Sequence, residues 1–264
     1  MRLDDINKNH AVRKMQSVKL GAVRFWEHAL HWIFPRRCVL CGGVTASDEM
    51  VCQNCGADAE TLRRPLMCLH CRLTLENCTC ESDRRIKLVS VFPYQSDAKN
   101  AFNGLKFNGD RAWAHSIGQT MADALCETLG WDDRARRSVI HTPPLFCAVP
   151  MTRKQEKTRG YNQSILIAKA AARWVGDPFC ADLLRKTAET RTQHKLRACE
   201  RDANVAGAYA VAARPIPRTT TIVLCDDVVT TGATMRTCAA ALQQAGYTDI
   251  VCLSFLETKL EEKA

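Results

Sequence analysis

Apolar and polar residues alternate along the chain in blocks that predict strands and helices in turn. Short, continuously apolar runs, typical of strands buried on both faces, occupy residues 145–149, 222–224 and 250–256. An alternating run at 86–92 predicts a further strand, and weaker patterns favour strands at 181–186 and 208–211. Apolar residues at helical spacing predict helices over residues 97–107, 113–129, 165–174 and 235–245.

The first 34 residues have a different pattern, in which polar residues of mixed charge precede apolar residues at helical spacing. These apolar residues are Leu20, Val23, Trp26, Leu30 and Ile33, and Pro35 ends the run. We interpret the segment as a helix that packs on the rest of the protein. The alternative is a helix that binds a membrane surface or a partner, because the segment also carries cations. They are Arg13, Lys14, Lys19 and Arg24.

Two acidic residues and a hydroxyl-rich turn follow the apolar run at 222–224. Asp226 and Asp227 come at the carboxyl end of this predicted strand, and residues 230–234 read Thr-Thr-Gly-Ala-Thr before an Ala-rich helix. The N–H groups of such a turn and the helix N-terminus favour a phosphate, and the two carboxylates can accept hydrogen bonds from a sugar diol. The segment therefore predicts a ribose 5-phosphate site. The alternative is an ordinary strand–turn–helix connection in which the polar residues only cap the helix.

A basic segment follows the predicted strand at 145–149. It contains Arg153, Lys154, Lys157 and Arg159 and leads through Gly160 into the next predicted helix. Because loops at the carboxyl ends of parallel strands line the ligand crevice, we expect these cations to bind a pyrophosphate. Residues 185–204 are polar, basic and nearly free of large apolar side chains, which predicts either a long mobile loop of the kind that forms lids or an exposed helix and loop.

Composition narrows the class of protein. The 264 residues carry a net charge of +9, which favours phosphorylated metabolites or nucleic acid as partners. The apolar content of 46% supports a real core, and no run approaches the roughly 18 residues of a membrane span. The N-terminus shows no secretory signal, so we expect a cytoplasmic protein.

Eight of the 15 cysteines lie between residues 38 and 80, in pairs that indicate metal binding. Cys38, Cys41, Cys52 and Cys55 form two C-x-x-C-G knuckles and predict one structural zinc site. Cys68, Cys71, Cys78 and Cys80 predict a second, weaker site, because its last pair has one intervening residue and no glycine. An interleaved pairing, with 38, 41, 68 and 71 against 52, 55, 78 and 80, is an alternative that the spacing does not exclude.

Taken together, these motifs resemble the ComF family, also called GntX-like or ComFC-like. The resemblance covers residues 36–257 and includes the knuckles, Leu105-Lys-Phe-x-Gly109, Arg159-Gly-Tyr-Asn-Gln-Ser164, Thr190-x-x-Gln193-x-x-Leu196 and the acidic pair with its turn. It implies an α/β fold, that of the type I phosphoribosyltransferases, with a mainly parallel sheet flanked by helices. The expected organisation is an N-terminal helical extension at 1–35, a zinc domain at 36–82, a phosphoribosyltransferase domain at 83–258 and a charged tail at 259–264.

The resemblance also implies roles for individual residues. Asp226 and Asp227 would hold the ribose hydroxyls of phosphoribosyl pyrophosphate (PRPP), and with Arg159 they would be catalytic. The 5′-phosphate would lie in the turn, and Arg153, Lys157 and Arg159 would lie near the pyrophosphate. The remaining PRPP-binding residues would be Val228, Thr230, Thr231, Gly232, Ala233 and Thr234. A flexible loop would close over the sugar with Thr190, Gln193, Arg197, Arg201 and Asn204.

Three functional hypotheses follow. The first is an enzyme that transfers phosphoribosyl to an acceptor and releases pyrophosphate, with Mg²⁺ bound mainly by PRPP oxygens and water. The second is a PRPP or nucleotide sensor with little turnover. The third, implied by the resemblance, is an accessory factor in natural competence that handles single-stranded DNA together with a DNA-uptake helicase. The acceptor, and whether the chain forms a homo-oligomer, are left open by the sequence.

Overall fold

The computed structural model describes residues 38–40, 43–45, 51–55, 65–94, 111–131, 142–187 and 208–258. Four predicted segments lie outside these residues, namely the helices at 1–35 and 97–107, the loop residues 190–204 and the charged tail at 259–264. Cys41 also lies outside them.

The described strands are β1 (Met67–Cys68), β2 (Lys87–Pro93), β3 (Leu145–Ala148), β4 (Leu184–Lys186), β5 (Tyr209–Val211), β6 (Ile222–Val229) and β7 (Ile250–Glu257). The helices are α1 (Arg111–Thr128), α2 (Arg153–Arg159), α3 (Gln163–Val175) and α4 (Ala233–Gln244). Five strands form one sheet in the order β1-β2-β7-β6-β3, in which β1 is antiparallel and the rest are parallel. The predicted α/β class with a mainly parallel sheet is confirmed.

The sheet is buried on both faces because each face has its own cover. One core contains alternate residues of the strands, such as Val223 and Phe255, packed with α1 and α3. The other core contains the intervening residues, such as Leu224 and Cys252, packed with α4. Strands β4 and β5 form a separate antiparallel ribbon whose residues Leu184 and Tyr209 belong to this second core. The continuous apolar runs in the sequence are explained by this double burial.

Helices α1 and α3 pack closely, and Gly118 makes this contact feasible. A Cβ atom at Gly118 would lie 2.6 Å from Ala170 Cβ and 2.6 Å from the Ile167 carbonyl oxygen. Interiors are packed too densely to absorb such an overlap without displacing a helix. This contact fixes α3, whose N-terminus reaches the candidate site described below.

Two local predictions need correction. Strand β6 continues to Val229 and so includes Asp226 and Asp227, which were expected after its end, because β7 pairs alongside with Asp226 opposite Ser254. The basic segment expected to be a loop is the short helix α2. Its N-terminus has a capping box, in which Thr152 and Gln155 exchange hydrogen bonds.

The Cys-rich segment packs directly on the α/β unit. Strand β1 extends the main sheet beside β2, and Cys38, Val39 and Leu40 belong to the core of α1 and α3. The Trp113 indole N–H donates to the Cys38 carbonyl oxygen at 3.2 Å. In the part of the chain that the structure describes, no helix has the length and apolarity needed to cross a membrane.

Candidate functional site

The acidic pair lies where β6 extends beyond its neighbour β3. The pairing of β3 with β6 ends at Ala148 and Cys225, so the next two residues of β6 face the N-terminus of α3 instead of a strand. Ser164 Oγ donates to Asp226 Oδ1 at 2.8 Å. Gln163 Nε2 donates to Asp227 Oδ2 at 2.7 Å. Both carboxylates are therefore oriented by neutral donors from one helix turn.

Backbone donors complete the orientation of the pair. The N–H of Val228 donates to Asp227 Oδ1 at 2.7 Å, and the N–H of Asp227 donates to Asp226 Oδ1 at 3.0 Å. Asp227 is buried, with 7% of its surface exposed. Hydrogen bonds of this kind lower the cost of burying charge, and they fix the directions in which the carboxylate oxygens can accept further bonds.

Asn162 sets the position of the helix end that carries these donors. Its Oδ1 caps α3 by accepting from the N–H groups of Ser164 and Ile165, and its Nδ2 donates to the Val149 carbonyl oxygen at 3.2 Å. In the sequence, residues 162–164 were identifiable only as a helix cap within a family motif. Their side chains in fact join the end of β3, α3 and the acidic pair.

The charge of the pair is unfavourable without a ligand. Burial, and then the neighbouring charge of Asp227, raise the pKa of Asp226 well above its ordinary value. Any ligand that supplies hydroxyl donors or positive charge stabilises a carboxylate in this environment. A sugar diol supplies the donors.

The turn after β6 has the geometry of an anion site. Gly232 has a φ of 77°, in the left-handed region, and is the N-cap residue of α4. It provides no side chain to cap the helix, and the first N–H groups of a helix have no partner within it, although the Ala233 N–H donates to Thr231 Oγ1 at 3.3 Å. Thr230, Thr231, Ala233 and Thr234 are exposed around it.

Two arginines hold the carbonyl groups of this turn. Arg236 Nη1 donates to the Thr231 carbonyl oxygen at 2.8 Å. Arg72 Nη2 lies 3.4 Å from the Thr230 carbonyl oxygen. Neither arginine was predicted as a site residue. The helical position of Arg236 after the turn could have indicated it, whereas no local signal indicates Arg72.

The cations predicted to bind pyrophosphate lie on α2, and Arg159 connects them to the acidic pair. Arg159 Nη1 donates to Gln163 Oε1 at 3.3 Å, and Gln163 in turn donates to Asp227. Arg153 and Lys157 are exposed and one helical turn apart. The predicted flexible loop lies outside the described residues, but its base is closed by a hydrogen bond from the Thr187 N–H to the Ala208 carbonyl oxygen at 2.9 Å.

The cysteines form two clusters in sequence order. Cys38, Cys52 and Cys55 have sulfurs within 4.8 Å of one another, and so do Cys68, Cys71, Cys78 and Cys80. The interleaved pairing is therefore not the one adopted by the described cysteines. Cys41, the fourth ligand predicted for the first cluster, stays a prediction.

The sulfur geometry fits zinc. In the second cluster, the Cys71 and Cys78 sulfurs are 3.6 Å apart, and those of Cys68 and Cys80 are 3.9 Å apart. A tetrahedral site with zinc–sulfur bonds of about 2.3 Å has sulfur–sulfur edges of about 3.8 Å. In the first cluster, the Leu40 N–H points to the Cys38 sulfur at 3.4 Å, a contact that stabilises a thiolate. The geometry of both clusters is therefore suited to structural zinc.

We expect that Asp226→Asn makes the ligand-free protein more stable at about pH 8. When folding raises the pKa of a carboxyl group, the folded protein loses stability as pH rises from the unfolded-state pKa to the folded-state pKa. The loss is about 1.4 kcal/mol for each unit by which the two pKa values differ. Asn keeps the Oδ1 acceptor for Ser164 and for the Asp227 N–H. Urea unfolding between about pH 5 and pH 8 should show the gain, and it should shrink as pH falls.

Asp182→Asn is the control, since the Cys180 thiol and Arg185 lower the pKa of Asp182 and no stability gain is expected there. An Asp226→Asn protein that is less stable than the wild type throughout this pH range would contradict the account.

Comparisons with known proteins agree with these features. Residues 29–83 match the double zinc ribbon domain family. The chain is 29% identical over 217 residues to the DNA utilization protein YhgH of Escherichia coli (strain K12), covering 82% of this chain and 86% of that protein. It is 26% identical to competence protein F of Haemophilus influenzae, covering 82% and 95% of the two chains. It is 25% identical to competence protein ComFC of Streptococcus pneumoniae, covering 83% and 99%. Over about four fifths of its length, the chain is therefore similar to proteins named for DNA utilization and competence.

Proposed function

We propose that the protein binds PRPP and transfers its phosphoribosyl group to an acceptor with release of pyrophosphate. The observation that supports this most is the placement of two oriented carboxylates, Asp226 and Asp227, on the strand that leads into a phosphate-type turn. The carboxylates suit the 2′- and 3′-hydroxyls of a ribose, and the turn suits its 5′-phosphate. Hydrogen-bond donors for a phosphate, next to two acceptors for a diol, favour a ribose phosphate over a simple anion.

The proposed reaction is a displacement at C1′. The bond from C1′ to the pyrophosphate oxygen breaks with its electron pair leaving on pyrophosphate. A lone pair of the acceptor forms the new bond, and the acceptor then loses a proton. The carboxylates and the turn hold the ribose phosphate still while positive charge develops at C1′. The cations of α2 would stabilise the departing pyrophosphate.

Mg²⁺ would supply further charge neutralisation of the leaving group when it is bound with PRPP. A hard cation prefers oxygen ligands, and PRPP oxygens and water would provide most of them. The zinc clusters have a different role, since sites made only of thiolates leave no open position for a substrate.

We expect PRPP with Mg²⁺ to bind the zinc-loaded wild type and not Asp226→Asn/Asp227→Asn. The double substitution keeps size and removes both acceptor charges, so the ribose hydroxyls lose their strongest partners. Calorimetric titration measures the loss, which we expect to exceed about tenfold, or about 1.4 kcal/mol. Pyrophosphate release with candidate acceptors should disappear in the same variant.

Asp249→Asn is the control for removing a carboxylate away from the site. Asp249 lies at the opposite end of the sheet, where it accepts from Thr221 Oγ1, and its loss should leave PRPP affinity unchanged. A folded, zinc-loaded wild type that does not bind PRPP would refute the proposal. Tight binding without pyrophosphate release for any acceptor would instead support a PRPP sensor.

A second candidate function is DNA handling, alone or alongside the first. The relatives named for DNA utilization and competence favour it. The exposed cations of α2 and the net charge of +9 provide a physical basis for phosphate contacts along a strand. On this proposal the protein supports DNA uptake in a reducing compartment that suits its thiolate clusters.

A single-stranded oligonucleotide should bind with an affinity that falls steeply as salt increases. Lys154 is exposed on α2. Lys154→Ala should therefore reduce the salt slope by about 0.7. Lys169→Ala, an exposed change on α3, is the matched control. Failure to bind the oligonucleotide even at low salt would reject this function.

A further inference from the structure

Arg72 directly follows Cys71 in the second cysteine cluster (Cys68, Cys71, Cys78 and Cys80), and its backbone conformation is unusual. Its backbone has a φ of 61°, and it is the one non-glycine residue with a positive φ among the described residues. Its N–H donates to the Cys68 carbonyl oxygen at 2.9 Å, which closes the turn of the knuckle. Non-glycine residues are rare in this conformation, and when they occur there the surrounding structure has to hold them.

The side chain of Arg72 reaches from the knuckle to the turn after β6. Its Nη1 forms an ion pair with Glu257 Oε1 at 3.0 Å, and the two side chains are only 7% and 3% exposed. Its Nη2 lies 3.4 Å from the carbonyl oxygen of Thr230, 158 residues away in the chain. A Cβ atom at Gly232 would lie 2.5 Å from Nη2, so the glycine leaves room for the guanidinium.

The two arginine contacts determine which way the turn presents its N–H groups. In a planar trans peptide, the C=O and the following N–H point in opposite directions. Arg72 holds the Thr230 carbonyl, so the N–H of Thr231 points away from Arg72. Arg236 holds the Thr231 carbonyl, so the N–H of Gly232 points away from Arg236. These donors are the ones expected to bind a phosphate.

We propose that Arg72 is a positioning residue that makes phosphate affinity at the turn 230–234 depend on zinc in the second cluster. This inference rests on the proposed function, since it concerns the same PRPP site. Cys68 and Cys71 would be held in one turn by a bound zinc ion, and this would fix the backbone of Arg72, which immediately follows. Without zinc, that backbone and its carbonyl contact would be released. The guanidinium charge also favours the phosphate dianion directly.

Coupling of this kind is reciprocal. If zinc in the second cluster strengthens PRPP binding, PRPP must strengthen zinc binding by the same factor. A residue that only stabilised the fold would not produce a ligand-dependent zinc affinity. The reciprocal effect therefore separates a positioning role from a structural one.

The test compares wild type with Arg72→Gly/Glu257→Gln and with Arg72→Lys. Glycine is unstrained at this φ, and the Glu257→Gln change removes the buried charge that would otherwise lose its partner. The control is Arg85→Met, because Arg85 Nη2 donates to the Cys78 and Cys80 carbonyl oxygens and so contacts the same cluster without reaching the turn. Thermal unfolding and zinc content are measured first, then PRPP affinity by calorimetry, then zinc affinity by chelator competition with and without PRPP.

We expect Arg72→Gly/Glu257→Gln to keep both zinc ions and to lose PRPP affinity by about 5- to 150-fold, the usual range of such couplings. Arg72→Lys should fall between this variant and the wild type, and Arg85→Met should bind PRPP like the wild type. PRPP should raise zinc affinity in the wild type and in Arg85→Met, but not in the glycine variant.

Unchanged PRPP affinity in the Arg72 variants would overturn this inference and leave the proposed function standing. Equal losses in the Arg72 variants and in Arg85→Met, or a loss found only together with loss of zinc, would also overturn it, since Arg72 would then be a structural residue. A wild type that does not bind PRPP would overturn both.

Discussion

Two neighbouring carboxylates at the end of a buried strand are the feature on which the rest of the site depends. Asp226 and Asp227 repel each other, and burial raises the pKa of Asp226. Ser164, Gln163 and two backbone N–H groups offset part of this cost. Their placement requires α3 to begin where β3 ends, which Asn162 ensures. An electrostatically unfavourable site of this kind is typical of proteins in which ligand binding comes at a cost in folding stability.

The architecture brings distant segments to this one edge of the sheet. Strands β6 and β7 pair over almost their whole lengths, so the turn after β6 lies beside Glu257 at the end of β7. Strand β1 adds the second cysteine cluster at the sheet edge beyond β2, and Arg72 reaches from there to the same turn. The second cysteine cluster is therefore connected to the candidate site through Arg72. This arrangement gives a physical reason why a double zinc ribbon precedes an α/β unit in one chain.

Much of the fold could be predicted from local patterns. Apolar runs identified β3, β6 and β7, because strands covered on both faces are mostly apolar along their lengths. The C-x-x-C pairs identified the metal clusters, since the knuckle turn is a local structure. The pairing of the clusters could not be predicted, because both arrangements satisfy the spacing and the choice depends on three-dimensional packing.

Contacts between distant residues explain what was missed. Strand β6 extends through the acidic pair because it pairs with the equally long strand β7. The residues of β6 alone do not indicate the length of its partner. The capping box of α2 was present in the sequence, but its many charges resembled a loop. Gln163 and Ser164 were visible as part of a motif, while their bonds to the acidic pair span more than 60 residues. In the sequence, Arg72 simply follows a cysteine knuckle, a position where exposed residues are common. Only the folded chain shows that its side chain is buried against Glu257.

We propose that Asp226, Asp227 and the turn at 230–234 form one ribose 5-phosphate site. A crystal structure of the zinc-loaded protein with PRPP and Mg²⁺ would test this. We expect the 5′-phosphate on the N–H groups of the turn, within about 3 Å, and the ribose hydroxyls on the two carboxylates. A bound PRPP whose phosphate and diol lie away from both, with the turn and the acidic pair contacting only protein and water, would contradict it.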